Sequence, residues 1–151
     1  MYEYNAKLSK VIDGDTIDAD IDLGFQTFVK QRIKLYGVDT PQSRSKVATE
    51  KEEGIKAKNK LIELLPRDFK VRTVLNRRGK FGRVLGELWI NCTEDGHEFG
   101  GWTNINQWLC ENGYAVNYTG QNKADVADEH RANRVYLAEQ GIQPVLQWDE
   151  D

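Results

Sequence analysis

The sequence predicts an α+β fold in which a small closed barrel of five β-strands packs with about three helices. Three segments near the start alternate apolar and polar residues with the period of a β-strand. A leucine-rich amphipathic segment follows the third of them, and two further strand-like segments come before a helical C-terminal part. A chain of 151 residues is long enough for one domain with a real hydrophobic core.

The first three strands are predicted from their alternation and from the turn residues between them. They cover residues 2–12, 15–22 and 26–37. In the third strand Val29, Ile33 and Leu35 share one face, and Arg32 and Lys34 share the other. We therefore expect Arg32 and Lys34 to point the same way.

The remaining elements follow from helical periodicity, capping residues and the next apolar runs. They are a helix over 47–65 ended by Pro66, strands over 69–75 and 83–90 joined by the basic segment 76–82, a helix capped by Thr103 or Asn104 and ended at Gly113, and a helix over 124–140. Five strands with a helix inserted after the third fit a Greek-key barrel of the OB type. We predict one domain over 1–143 and an acidic tail over 144–151.

Composition limits the function classes. The net charge of -3 gives no global attraction to nucleic acid, so a polyanion would need a local basic site. The two cysteines cannot form a disulfide framework. His97 and His130 lack metal-ligand spacing, so exposed or structural roles are favoured for both histidines. No signal peptide or membrane-spanning stretch stands out. We expect a cytoplasmic, monomeric protein without a membrane partner.

Acidic residues at strand ends are the most specific local feature. Asp13-Gly14-Asp15 precedes the alternating strand 16–22, and Asp39 ends another strand. Asp15 is in the inward phase, and a carboxylate near a core must be paired, hydrogen-bonded or bound to metal. The pattern therefore favours a hard-cation site. The alternative is a simple turn in which the acids accept backbone N–H groups.

Four motifs in order resemble the staphylococcal nuclease (thermonuclease) family. They occupy residues 11–16, 35–41, 79–83 and 113–118, and the match spans about residues 4–141. Cellular and phage members of that family share the pattern after Pro41. The resemblance implies a Ca²⁺-dependent nuclease acting on DNA and RNA with low sequence preference, single-stranded DNA or RNA being the expected substrate. It implies Asp15, Asp39 and the main-chain carbonyl of Thr40 as metal ligands, which suits a cation that prefers oxygen.

The resemblance also implies roles for basic and aromatic residues. Arg83, with its planar fork, is the expected catalytic cation. Lys80 and Phe81 would contact the substrate, and Tyr118 would pack against a sugar or base. Arg32 lies one alternation from Lys34 and is a further substrate contact. The alternative for each is a solvated surface residue.

Two residues depart from the family pattern. Lys34 stands where members carry arginine, so the catalytic set keeps a charge but loses the fork. Gln42 stands where members carry glutamate, and an amide cannot act as a general base. Three accounts follow: slow catalysis, replacement of the base by Glu50, Glu52 or Glu53, or binding without cleavage. The alternative function is thus a catalytically silent OB-fold nucleic-acid-binding protein.

Overall fold

The computed structural model describes residues 2–78, 84–91 and 101–142, without the side chains of residues 75–78. The elements in chain order are β1 (Glu3–Asp13), β2 (Thr16–Asp22), β3 (Phe28–Leu35), β4 (Val38–Asp39), α1 (Ala48–Leu64), β5 (Asp68–Arg78), β6 (Val84–Asn91), β7 (Trp102–Asn104), α2 (Ile105–Glu111), β8 (Val116–Asn117) and α3 (Lys123–Glu139). The predicted acidic tail over 144–151 lies outside the described residues.

Five of the strands form a closed barrel. The sheet runs in the order β3-β2-β1-β5-β6-β7, and a parallel pairing of β3 with β6 closes it. That pairing covers only Ile33 to Leu35 against Val84 to Gly86. Asn106 of α2 reinforces it, since its side-chain amide donates to the carbonyls of Tyr36 and Gly86, each at 3.0 Å. The predicted OB-type barrel is therefore confirmed.

The hydrophobic core combines the inward faces of the strands with apolar residues of α1, α2 and α3. Its fully buried large side chains are Ile17, Ile33, Leu35, Leu61, Val71, Leu88, Ile90, Ile105, Leu109 and Leu137. The alternation predicted for β3 is confirmed, because Ile33 and Leu35 are buried while Arg32 is exposed. No helix among the described residues is long and apolar enough to cross a membrane.

Short elements differ from the sequence prediction. The strands β4 and β8 have two residues each, too few to produce a periodic pattern, and they pair with each other outside the main sheet. Residues 102–104 pair with β6 as β7, where we had predicted only a helix cap. Asn104 does both, since its side chain also accepts the N–H of Gln107 at 3.3 Å and so caps α2.

Helix α1 packs closely on the segment that follows β4. A Cβ atom added to Gly54 would lie 2.4 Å from the carbonyl carbon of Gln42 and 2.5 Å from the nitrogen of Ser43. One added to Gly14 would lie 2.6 Å from the Cβ of Ala57 on the same helix. Small residues thus allow the helix to touch both the turn after β1 and the backbone of residues 42–43.

Replacing Gly54 with alanine tests this contact. In an exposed helix the change would stabilise the protein by up to about 1 kcal/mol. Here the added methyl group overlaps backbone, so we expect the free energy of unfolding to fall by about 1–3 kcal/mol in urea denaturation. Lys51→Ala, an exposed position of the same helix, is the control and should change little. A Gly54→Ala protein more stable than wild type would contradict the packing.

Candidate active site

The turn between β1 and β2 binds a segment about thirty residues further along the chain. The carboxylate of Asp13 accepts the N–H of Ser43 at 3.0 Å and its hydroxyl at 2.6 Å, both on Oδ1. Asp15 Oδ2 accepts the N–H of Thr40 at 3.2 Å. These bonds hold residues 40–43 against the end of the hairpin. The acids do accept backbone N–H groups, as the turn alternative supposed, but from another part of the chain.

Asp15 lies in a buried, fully hydrogen-bonded position. It is 8% exposed, and its Oδ1 accepts the hydroxyl of Thr16 at 2.9 Å. The Lys34 ammonium lies 3.0 Å from Oδ2 and also donates to the carbonyl of Val38 at 2.9 Å. In the pairing of β2 with β3 Lys34 lies directly opposite Thr16, the residue that follows Asp15, and its long side chain reaches the neighbouring carboxylate. A carboxylate at this depth needs a partner, and the ammonium of Lys34 supplies one.

Asp39 is brought to the same region by the pairing of β4 with β8. Its Oδ2 lies 2.7 Å from Nε2 of His130 in α3. An ionised carboxylate only accepts hydrogen bonds, so the imidazole donates from Nε2. The sequence does not reveal this contact, since His130 is a lone histidine 91 positions from its partner and no spacing rule connects the two.

Thr40 joins the two aspartates. Its N–H bonds to Asp15, and the preceding residue is Asp39. Its hydroxyl is buried and has no hydrogen-bond partner within the described part of the chain. The described residues contain no group of three or more histidine, cysteine, aspartate and glutamate side chains suited to hold a metal.

A cleft of about 480 Å³ lies beside this cluster. Its lining residues include Asp39, Thr40 and Gln42 and come also from the first turns of α1 and from α3. Gln42 is exposed in the cleft. Tyr118, from the chain after β8, also lines the cleft with an exposed ring.

The structure distinguishes among the glutamates that could replace the missing base. Glu50 and Glu53 line the cleft with Gln42, and Glu52 is not among its lining residues. Glu53 is buried and bound to the ammonium of Lys56 at 3.0 Å. Glu50 is exposed and has no hydrogen bond or ion pair within the described residues. Glu50 is thus the better placed of the three.

Arg32 shares a face of β3 with Lys34, but its guanidinium is occupied. It forms two hydrogen bonds with the carboxylate of Asp18, at 2.8 and 3.0 Å. These bonds hold the pKa of Asp18 below its usual range. A substrate contact by Arg32 stays a prediction, as do the roles of Lys80, Phe81 and Arg83, which lie outside the described residues.

One comparison with known proteins assigns the chain to a family. A family model described as staphylococcal nuclease homologue matches residues 32–140. The match covers the end of β3 from Arg32 onward, the segment 39–43 and all of α3, and so includes Lys34, Asp39 and Gln42. Among curated proteins, none matches the chain significantly.

The pair of Asp18 and Arg32 predicts a pH-dependent contribution to stability. Since the folded pKa of Asp18 is lowered, the pair stabilises the protein above the unfolded pKa of about 3.9 and loses this effect as the pH falls through the folded value. Asp18→Asn should lower the free energy of unfolding by up to about 1 kcal/mol near neutral pH. We expect the difference from wild type to shrink below about pH 4, measured by urea unfolding.

Asp20→Asn is the matched control for that experiment. Asp20 lies on the same strand, and its side chain forms no hydrogen bond with a described residue. A difference between wild type and Asp18→Asn that stays constant across the acidic range would refute the proposed linkage.

Proposed function

The chain belongs to the staphylococcal nuclease homologues, and from this premise we propose that it is a Ca²⁺-dependent nuclease. It would hydrolyse phosphodiester bonds of single-stranded DNA or RNA with low sequence specificity. The observation that carries the proposal is the hydrogen bond from Thr40 N–H to the buried carboxylate of Asp15. This bond joins the two segments that contain the proposed metal ligands.

The donor chemistry suits calcium. Asp15, Asp39 and the carbonyl of Thr40 offer hard oxygen atoms, and Ca²⁺ accepts such ligands in flexible geometry with water completing the shell. The unpartnered hydroxyl of Thr40 would satisfy its own hydrogen bonding through such a water. Bound there, Ca²⁺ would neutralise phosphate charge and polarise phosphorus.

Lys34 is the proposed protein cation next to the substrate. A phosphodiester gains charge on its oxygens during attack, and a cation already in place stabilises that charge. An ammonium has three N–H donors, and Asp15 and Val38 use two of them. The third remains for a phosphate oxygen. Arg83 is proposed as the second cation on its motif alone.

Gln42 determines how fast such an enzyme would be. Its amide can orient a water molecule or donate to phosphate, but it cannot accept a proton near neutral pH. We propose that Gln42 positions the attacking water and that the reaction is correspondingly slow. Glu50 is the alternative base, since it lines the same cleft with its carboxylate exposed.

A nucleic-acid-binding protein without catalytic activity is the second candidate. Two observations favour it: Lys34 already compensates Asp15, and an amide stands at position 42. Such a protein would bind single strands in a salt-dependent manner without any metal.

Removing the charge of Asp15 tests the enzyme. We expect wild-type protein to degrade single-stranded DNA with Ca²⁺ and not with EGTA, in a timed digestion followed on a gel. Asp15→Asn should abolish this cleavage, because the proposed ligand loses its charge. Asp68→Asn is the matched control, because this exposed carboxylate is paired, among the described residues, only with Lys7 at 3.6 Å. Wild-type protein without calcium-dependent cleavage would refute the enzymatic function.

Restoring a carboxylate at position 42 tests the missing base. Gln42→Glu should raise kcat by about 10²–10⁴-fold, the usual contribution of a general base. Gln26→Glu, in the exposed loop between β2 and β3, should leave kcat unchanged.

Glu50→Gln decides between the two accounts of the base. If Gln42 only positions water, Glu50→Gln should retain wild-type kcat. If Glu50→Gln is inactive while Gln42→Glu gains nothing, Glu50 supplies the base. Activity that appears in Gln42→Glu and is absent from wild type would favour the silent binding protein.

A further inference from the structure

One face of α3 forms a wall of the cleft opposite Gln42. The residues on this face recur at helical spacing: Lys123, Val126, Ala127, His130, Arg131 and Arg134. The hydrogen bond between His130 and Asp39 fixes the helix to the site. Cationic residues lie at both ends of this face, and small apolar residues lie between them.

Two of these cations are not neutralised by described residues. The side chains of Lys123 and Arg134 form no hydrogen bond or ion pair within residues 2–78, 84–91 and 101–142. Arg134 is half-buried in the wall of the cleft, and Lys123 is exposed at its end. Arg131 differs, because its guanidinium is paired with Asp128 of the same helix.

The acidic residues that line the cleft have different partners. Glu53 is bound to the ammonium of Lys56, and Asp39 has the imidazole of His130 as its hydrogen-bond partner. Glu50 is the third acid, and it lies on α1 rather than on α3. The described residues of α3 that line the cleft include Lys123 and Arg134 and no acidic side chain, which favours an anion along that face.

We propose that Lys123 and Arg134 bind phosphates of a single-stranded nucleic acid that continues beyond the cleavage position. The inference rests on the proposed function and extends it, since it assigns the path of the strand over α3. The two residues are eleven positions apart, about 16 Å along the helix, so they would contact different phosphates. Val126 and Ala127 leave space between them for the sugars, and Tyr118 offers a surface for a base.

Binding without cleavage tests this path. The probe is a fluorescein-labelled single-stranded DNA of about a dozen nucleotides, with anisotropy measured in EDTA over a range of salt concentrations. Lys123→Gln and Arg134→Gln should each lower the slope of log K against log salt by about 0.7, the value for one lost phosphate contact. The same slope corresponds to a loss of affinity of about fivefold at about 0.1 M salt.

The matched control is Arg67→Gln, an exposed arginine that follows α1 and does not line the cleft. It should retain the wild-type affinity and slope. Cleavage of a dinucleotide with Ca²⁺ gives a second readout, because its single phosphodiester would lie at the proposed metal site and leave no further phosphate for Lys123 or Arg134. Both α3 variants should keep wild-type kcat/KM for the dinucleotide and lose it for the longer strand.

The outcomes separate the two proposals. If wild type cleaves with Ca²⁺ while Lys123→Gln and Arg134→Gln bind like Arg67→Gln, the path over α3 is wrong and the nuclease function remains. If wild type neither binds nor cleaves, both proposals fail. A concentration-dependent dimer in sedimentation velocity that Arg134→Gln abolishes would assign this face to a second copy of the chain and overturn the inference.

Discussion

The whole site depends on one constraint: the carboxylate of Asp15 is nearly buried and must be compensated by what surrounds it. Three groups do so, namely the hydroxyl of Thr16, the backbone N–H of Thr40 and the ammonium of Lys34. Each comes from a different position in the fold, so the demand of one charge determines how β2, β3 and the segment after β4 meet. Asp13 adds a second attachment through Ser43. The segment that contains Gln42 therefore has an anchored backbone although its side chain is exposed.

Helices α1 and α3 supply the walls of the cleft by different means. Helix α1 lies close to the cleft because Gly54 has no side chain, which lets the helix backbone touch residues 42–43. Helix α3 approaches through a polar contact, the hydrogen bond of His130 to Asp39. A steric contact resists any change in the position of α1, whereas a half-exposed hydrogen bond is easier to break. Helix α3 is also fixed by its core packing, since Leu137 is fully buried, so both walls of the cleft have defined positions.

The sequence was sufficient for the barrel because alternation and turn residues are local signals. It also predicted that Asp15 approaches the core, and Asp15 is buried, although it belongs to the turn before β2 and not to the alternating strand. It could not predict β4 and β8, whose pairing comes from tertiary contacts, or the bond between Asp39 and His130, since nothing local relates residues so distant. The ion pair between Arg32 and Asp18 is unpredictable for a related reason, because the strand register decides which carboxylate lies opposite the arginine. Specific side-chain partners require the register, and the alternating pattern alone does not give it.

The charge balance around Asp15 explains why a divalent cation would matter to this chain. Asp15 and Lys34 form a neutral pair, which leaves the partly exposed carboxylate of Asp39 beside the cleft, with an imidazole as its partner. A phosphate brought next to that carboxylate would be repelled, because Asp15 already balances most of the positive charge of Lys34. A divalent ion between the carboxylates and the phosphate would reverse the sign of the local field. Lysine, as a compact point charge, compensates a phosphate less well than a planar arginine fork would. Under the proposed function, the lysine at position 34 would therefore make substrate binding depend more strongly on the metal.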